Sequence, residues 1–261
     1  MQTVRTGFVG GRLAAWILRF ANPSKKSHCT GTAYLTRSKI DALLGEDVWE
    51  HIRGKTVVDF GCGPGGDAIE MAQRGAARVI GVDDRQRVLD EATAGARRAG
   101  VADRCLFTRE LRQQVDTVVS LDGFEHYGDP DACLRLMHGM LRPGGRLFVA
   151  FGPTWFHPLG GHSFAAFPWA HVLLTEKALL KWRGEPANRF EDTDGGLNQM
   201  TIRRFRTIVA ASDFDVERFA AIPIRRLAWL ANPLTREFTT ACVRCVLVPR
   251  RTAEVPAARI A

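Results

Sequence analysis

Short apolar runs alternate along the middle of the chain with amphipathic stretches, and glycine or proline stands at most of the junctions. The runs with the length and composition of buried strands are 56–61, 77–83, 104–108, 115–121 and 146–152. The stretches with helical spacing between them are 66–74, 86–99 and 130–141. Strands that alternate with helices of this length predict βαβ units in a parallel sheet covered on both faces.

The chain outside this alternation follows a different pattern. The pattern predicts a short amphipathic helix at 7–21 and a basic loop at 22–32. Helical spacing returns at 34–52. After the fifth strand the segment 154–199 is rich in Trp, Phe, His, Pro and Gly, and segments of this length usually form lids or binding elements. The elements predicted beyond it are a helix at 200–212, a strand at 215–222, a helix-like stretch at 224–238 and a strand at 241–250.

Length and composition agree with one decorated globular domain. The chain has 261 residues, of which 46% are hydrophobic and 25% charged. We expect a helical N-terminal extension at 1–53, an α/β domain at 54–250 with a lid insertion at 154–199, and a frayed tail at 251–261. Six cysteines are too few for a disulfide framework, which favours reduced thiols and a cytoplasmic location.

Charge is distributed unevenly. Residues 1–40 contain seven Lys or Arg and no acidic residue, and residues 200–261 contain eleven Arg and five acidic residues. Besides an ordinary solvated surface, this leaves open an acidic substrate, an anionic lipid surface or nucleic acid. No apolar run reaches the roughly 18 residues of a membrane-spanning helix.

The segment DFGCGPGG (59–66) joins the first predicted strand to its helix. It fits the GxGxxG pattern, and Asp83 stands near the spacing of a ribose-binding acid, as in dinucleotide-dependent oxidoreductases. Two features disfavour that reading. Asp59 would repel a pyrophosphate but attract an ammonium or sulfonium group, and Pro64 removes an N–H from the turn.

Four segments in order, VVDFGCGPGG, VIGVDD, VDTVVSLDGFEHYGDP and LRPGGRLFVAFGP, resemble the class I S-adenosylmethionine-dependent methyltransferases. The closest likeness is to the small-molecule group with the D-x-G-C-G-x-G loop. It covers about 54–153, with a weaker continuation at 197–219. The resemblance implies a Rossmann-like, doubly wound seven-stranded sheet of order 3-2-1-4-5-7-6 with the last strand antiparallel, and S-adenosylmethionine as cofactor.

By position, the resemblance also implies a set of cofactor-binding residues: Asp59, Gly61, Gly63 and Gly65 for the methionine part, Asp83 for the ribose hydroxyls, and Ser120 and Leu121 near the methionine end. One departure concerns the short link LFTRELRQQVD (106–116), since the resembling enzymes have a longer stretch there with an acid beside the adenine. Glu110 is the available substitute.

Methyl transfer depends mainly on the alignment of nucleophile, methyl and sulfur, and a hydroxyl acceptor gains from a general base such as histidine. His126 follows the fourth strand, and His162 lies in the insertion, so both are expected at the carboxyl end of the sheet. For each, a purely structural role is the alternative. Asp122, Glu125 and His126 also form D-x-x-E-H, which resembles the metal-binding loop of some quinone-pathway and small-RNA methyltransferases; with no fourth ligand visible, we expect no metal.

The sequence therefore predicts a methyltransferase that acts on a small or lipid-like acceptor at oxygen. An RNA-directed methyltransferase is the alternative raised by the basic flanks, although no RNA-binding module is visible, and an NAD-dependent oxidoreductase ranks below it. An anionic acceptor and peripheral membrane contact through the basic N-terminus stay open. The aromatic residues of the insertion would line an acceptor pocket or build a satellite core: Trp155, Phe156, Phe164, Phe167 and Trp169.

Overall fold

Seven strands form one sheet at the centre of the structure, a computed structural model that describes residues 7–21, 38–193 and 195–250. The strands are β1 (Thr56–Phe60), β2 (Arg78–Val82), β3 (Cys105–Thr108), β4 (Val115–Leu121), β5 (Leu141–Phe151), β6 (Phe214–Pro223) and β7 (Thr240–Pro249). Their order is β3-β2-β1-β4-β5-β7-β6; β1 to β5 are parallel, and β7 is antiparallel to both β5 and β6. The predicted fold class and strand order are confirmed.

Helices cover both faces of the sheet, as the alternation predicted. They are α1 (Gly11–Leu18), α2 (Lys39–Leu44), α3 (Asp47–Ile52), α4 (Gly66–Gln73), α5 (Gln86–Arg98), α6 (Pro130–Met140), α7 (Ala170–Leu173), α8 (Glu176–Arg183), α9 (Ile202–Ala211) and α10 (Arg236–Thr239). Neighbouring residues of β1 point to opposite faces. Val57 packs in the core shared with α2 to α5, and Val58 packs in the core shared with α6 and α9.

The structure differs from the sequence prediction at three places. The described part of the stretch 34–52, residues 38–52, contains two helices, because Gly45 takes a φ of +91° between α2 and α3. The stretch 224–238 contains a 3-10 turn at Arg225–Leu230 before α10. Strand β5 begins at Leu141, before the predicted start at 146, and its register against β4 shifts between Leu141 and Arg146. The basic loop at 22–32 and the tail at 251–261 lie outside the described residues.

The insertion builds a third core together with the start of the chain. Its buried members are Ala14, Leu18, Trp155, Phe164, Ala170, Leu174, Leu179, Leu180, Phe190 and Leu197. Helix α1 thus packs on the insertion, and Val9 pairs with Leu174 in an isolated parallel bridge. Of the two roles weighed for the insertion aromatics, Trp155 and Phe164 take the structural one. Among the described residues no helix is both long and apolar enough to span a bilayer.

Candidate functional site

The glycine loop turns sharply between β1 and α4. Gly61, Gly63 and Gly65 have φ values of +79°, +51° and +80°, a region in which a side chain strains the backbone. At Gly65 an added Cβ would lie 2.9 Å from the ring of Phe107 and 2.7 Å from Ala92. At Gly63 no atom of the described residues, apart from its neighbours in the chain, lies within 4 Å of that position. Gly65 is therefore required by packing, and Gly63 leaves the backbone accessible to a ligand.

Asp59 is the second-last residue of β1, just before this loop, and it is buried. Its Oδ2 has no hydrogen-bond partner among the described residues. Burial raises the pKa of Asp59, and the nearby charge of Asp67 raises it further. A buried carboxylate oxygen without a donor is costly, so this position fits a bound group that brings a positive charge or an N–H.

Asp83 follows β2 and accepts four hydrogen bonds within the chain. Its Oδ2 accepts from the Gly63 backbone N–H at 3.0 Å and from Arg85 Nη2 at 3.0 Å. Its Oδ1 accepts from the Arg85 backbone N–H at 3.1 Å and from Arg85 Nε at 3.0 Å. Burial raises the pKa of Asp83, but these hydrogen bonds outweigh it and hold the pKa below its usual range. The acid expected to bind ribose is thus a carboxylate already paired with Arg85.

Lys39 is a site residue that the sequence analysis missed. It begins α2, and its Nζ lies 3.1 Å from Asp67 Oδ2 and 3.2 Å from Asp122 Oδ2. Burial lowers the pKa of Lys39, but the Asp122 and Asp67 carboxylates raise it above its ordinary value, so the side chain is an ammonium. It places a cation at the carboxyl ends of β1 and β4, among the acids of the glycine loop.

The end of β4 holds the other two residues expected near the cofactor. Ser120 is buried, and its Oγ lies 2.8 Å from the Tyr127 hydroxyl, which donates to the Phe60 carbonyl at 3.3 Å. Leu121 is buried in the core beside it. Glu110, the expected substitute beside the adenine, lies exposed after β3, with Arg112 at 3.5 Å from its carboxylate.

The two candidate bases are brought together with a buried acid. One ligand atom each of Glu125, His126 and His162 lies within 4.8 Å of the others, and the two imidazole centroids are 5.2 Å apart. Glu125 is buried; its Oε1 accepts from the Gly152 N–H at 3.1 Å, and its Oε2 has no partner among the described residues.

Both histidines are oriented through Nδ1. His126 Nδ1 lies 2.6 Å from the carbonyl oxygens of Gly195 and Gly196, and His162 Nδ1 lies 3.1 Å from that of Gly160. Because a carbonyl only accepts, each Nδ1 carries a proton, and Nε2 is the ring nitrogen left to interact with a substrate. Burial lowers the pKa of His162 to about 4, so its ring is neutral at neutral pH.

The residues that come together differ from the three of the D-x-x-E-H motif. Asp122 forms an ion pair with Lys39. The third residue beside Glu125 and His126 is instead His162, which lies about forty positions after Asp122 in the chain. The glycines before His162 are packed tightly, since a Cβ at Gly160 would lie 2.3 Å from the Trp155 carbonyl and one at Gly161 2.6 Å from His171. Close packing therefore accounts for both glycines.

An open sheet in this strand order, with a glycine turn after β1 and acids near the carboxyl ends of β1 and β2, is the arrangement expected of a class I S-adenosylmethionine-dependent methyltransferase. The chain belongs to the methyltransferase domain family, whose model matches residues 8–218. The family match confirms the predicted enzyme class and its cofactor. It disfavours the alternative of a dinucleotide-dependent oxidoreductase.

Two curated relatives are ubiquinone biosynthesis O-methyltransferases. The one from Neisseria meningitidis serogroup C is 36% identical over 106 residues, which cover 38% of this chain and 44% of that protein. The one from Pseudomonas paraeruginosa is 38% identical over 105 residues, which cover 38% of this chain and 45% of that protein. The matches thus span less than half the length of either relative.

Solved structures show the same fold. Geranyl diphosphate methyltransferase in complex with S-adenosylmethionine superposes with a TM-score of 0.52 at 18% identity, over 78% of this chain and 83% of that one. An S-adenosylmethionine-dependent methyltransferase from Mesorhizobium loti gives 0.51 at 18% identity, over 77% of this chain and 95% of that one. At these identities the likeness concerns the fold alone.

Proposed function

We propose that this methyltransferase transfers a methyl group to a hydroxyl of a small, lipid-like acceptor. The observation that carries the proposal is the pair His126 and His162, which two separate segments bring together beside the carboxyl end of β4. A hydroxyl nucleophile gains from a base, whereas a reaction without proton transfer has no use for one. The curated relatives, by their names O-methyltransferases of ubiquinone biosynthesis, support the same acceptor class.

The cofactor supplies an electrophilic methyl group on a sulfonium. We assign its ammonium to the unpartnered oxygen of Asp59, its carboxylate to Lys39 and its ribose hydroxyls to Asp83. Gly61 and Gly63 allow the backbone to approach it, Gly65 keeps the turn tight against Phe107 and Ala92, and Ser120 and Leu121 close the methionine end. The charges fit: the site offers carboxylates for the cationic groups and one ammonium for the anionic group.

In the proposed reaction, His126 Nε2 would accept the proton of the acceptor hydroxyl. The bound cofactor would supply the methyl group to the hydroxyl oxygen, and its sulfur would keep the electron pair of the broken carbon–sulfur bond. His126 is exposed and can pass that proton to water. His162, neutral because burial lowers its pKa to about 4, accepts a hydrogen bond and orients the hydroxyl. The remaining contribution is alignment of the reacting atoms by the loop after β4 and by the insertion.

The test combines cofactor binding with turnover of a panel of phenolic and catecholic acceptors that carry prenyl tails. We expect His126→Ala to lower kcat by roughly 10²–10⁴-fold while calorimetric affinity for S-adenosylmethionine stays near wild type. His138→Ala, a histidine in α6 whose ring packs against Phe214, is the matched control and should keep activity. Equal activity of wild type and His126→Ala would refute the base assignment.

Two further arms of the experiment separate the alternatives. Glu125, His126 and His162 also offer the ligand atoms that divalent cations accept. Activity lost with a chelator and restored by Mg²⁺ would make them a metal site, while unchanged activity supports the base. Transfer RNA in the acceptor panel tests the RNA-directed alternative, and methylation of RNA alone would overturn the lipid-like acceptor.

A further inference from the structure

Helix α1 carries two apolar stripes. Within the described residues, one stripe is buried and the other is exposed. Ala14 and Leu18 are buried in the third core. Leu13, Trp16 and Phe20 follow one another at spacings of three and four, so they share one side of the helix and its last turn. Their exposed fractions are 57%, 54% and 70%. The described residues thus leave an aromatic surface open on α1, and such surfaces mark interaction sites.

Positive charge surrounds this outer stripe. Arg12 and Arg19 are exposed on the same segment, and the Arg19 guanidinium lies 4.6 Å from the Phe20 ring centroid and 5.8 Å from that of Trp16. The first forty residues contain seven Lys or Arg and no acid. Exposed Trp, Phe and Leu flanked by basic side chains are the composition of helices that lie in the interface of an anionic bilayer.

We propose that α1 docks this enzyme onto an anionic lipid bilayer. Leu13, Trp16 and Phe20 enter the boundary between headgroups and acyl chains, and Arg12 and Arg19 contact lipid phosphates. The aliphatic stems of arginine can cover apolar surface while the guanidinium stays with the headgroups. This docking surface is separate from the catalytic cluster and does not depend on the identity of the acceptor.

Docking would bring the insertion to the membrane as well. The inner stripe of α1 packs on the insertion, and Val9 is bridged to Leu174 within it. The same insertion supplies His162 to the catalytic cluster. A bilayer held by the outer stripe therefore lies close to the insertion that carries His162.

The test is co-sedimentation of the full chain with vesicles of phosphatidylcholine alone or of phosphatidylcholine and phosphatidylglycerol in equal parts. Wild type should bind the mixed vesicles, bind the neutral ones far less, and be released by salt. Leu13→Ser combined with Trp16→Ser should lower the partition coefficient by at least about tenfold. Leu136→Ser, which removes a leucine of matching 58% exposure from α6, should leave it unchanged.

Three results would overturn the proposal. The first is absence of wild-type binding to mixed vesicles. The second is equal binding by the wild type and the double variant, with a native circular dichroism spectrum and unchanged S-adenosylmethionine affinity showing that the variant is folded. The third is a wild-type dimer in light scattering that the double variant converts to a monomer without a change in vesicle binding, since the stripe would then be covered by a second copy of the chain.

Discussion

Replacing Arg85 with methionine should strengthen cofactor binding. A carboxylate accepts about four hydrogen bonds. Two of those made by Asp83 come from backbone N–H groups, of Gly63 and Arg85, and two come from the Arg85 guanidinium. If Asp83 binds the ribose hydroxyls, as we propose, the guanidinium must first leave. The variant keeps the backbone contacts and presents two free acceptor positions.

The size of the effect follows from the exposure of the pair. The Arg85 side chain is 61% exposed and that of Asp83 only 4%. Ion pairs with an exposed partner contribute about 0–1 kcal/mol because water and salt screen them, and the bidentate geometry places this one in the upper half of that range. In the variant, cofactor binding no longer has to break this ion pair, which saves about 0.5–1 kcal/mol of binding free energy. That saving corresponds to a roughly two- to fivefold gain in affinity.

Isothermal titration with S-adenosylmethionine measures this gain. The ratio of variant to wild-type affinity should fall toward one as salt rises from about 0.05 to about 0.5 M, because salt weakens the pair only in the wild type. Arg87→Met, which removes an exposed arginine paired with Glu91 in α5, is the matched control and should change nothing. Weaker binding by Arg85→Met would refute the reasoning and make Arg85 a cofactor ligand.

Three further predictions concern other parts of the molecule. Lys39→Ala should weaken S-adenosylmethionine about 10- to 100-fold but leave 5′-methylthioadenosine, which lacks the carboxylate, unchanged; equal losses in calorimetry would contradict the assignment. Gly63→Val should abolish cofactor binding while the circular dichroism of the sheet persists, because the φ of +51° strains a β-branched residue; retained affinity would show that the loop tolerates it. Burial lowers the pKa of His171 to about 4 from 6.5. The unfolded chain therefore binds a proton in this window before the folded one, and the free energy of unfolding falls as the pH drops from about 6.5 to 4. Urea titrations at several pH values measure this decrease in the free energy of unfolding, and it should be roughly 3 kcal/mol smaller in His171→Gln than in the wild type. The same pH dependence in both proteins would count against a buried neutral His171 ring.

The sheet could be predicted from the sequence because its signals are local. Each buried strand is a short apolar run, and each helix after it has its own termini, as where Asp129 accepts from the Ala132 N–H and Pro130 opens α6. The antiparallel end of the sheet came from the resemblance. The glycine turn was visible for the same local reason, since three glycines in five residues indicate positive φ.

The residues that complete the site could not be predicted, because their positions depend on tertiary packing. Lys39 reaches the acids from a helix that precedes β1, and nothing in its neighbourhood distinguishes it from the other basic residues of the extension. His162 was a candidate by type and by its place after β5, but its contact with Glu125 and His126 depends on how the insertion folds back. The Arg85 pairing with Asp83 was not predicted, because a spacing of two residues does not show which way a side chain turns.

The third core has a consequence for how acceptor preference can change in this enzyme. The insertion is stabilised by residues from the start of the chain, with Ala14 and Leu18 in its interior and Val9 bridged to Leu174. A transplant of 154–199 into a related enzyme would lose Ala14 and Leu18 from that interior, whereas a transplant that includes 7–21 carries its own partner. If the insertion helps to set acceptor preference, as we propose, substitutions in these two distant segments should be inherited together, as one exchangeable unit on an unchanged sheet.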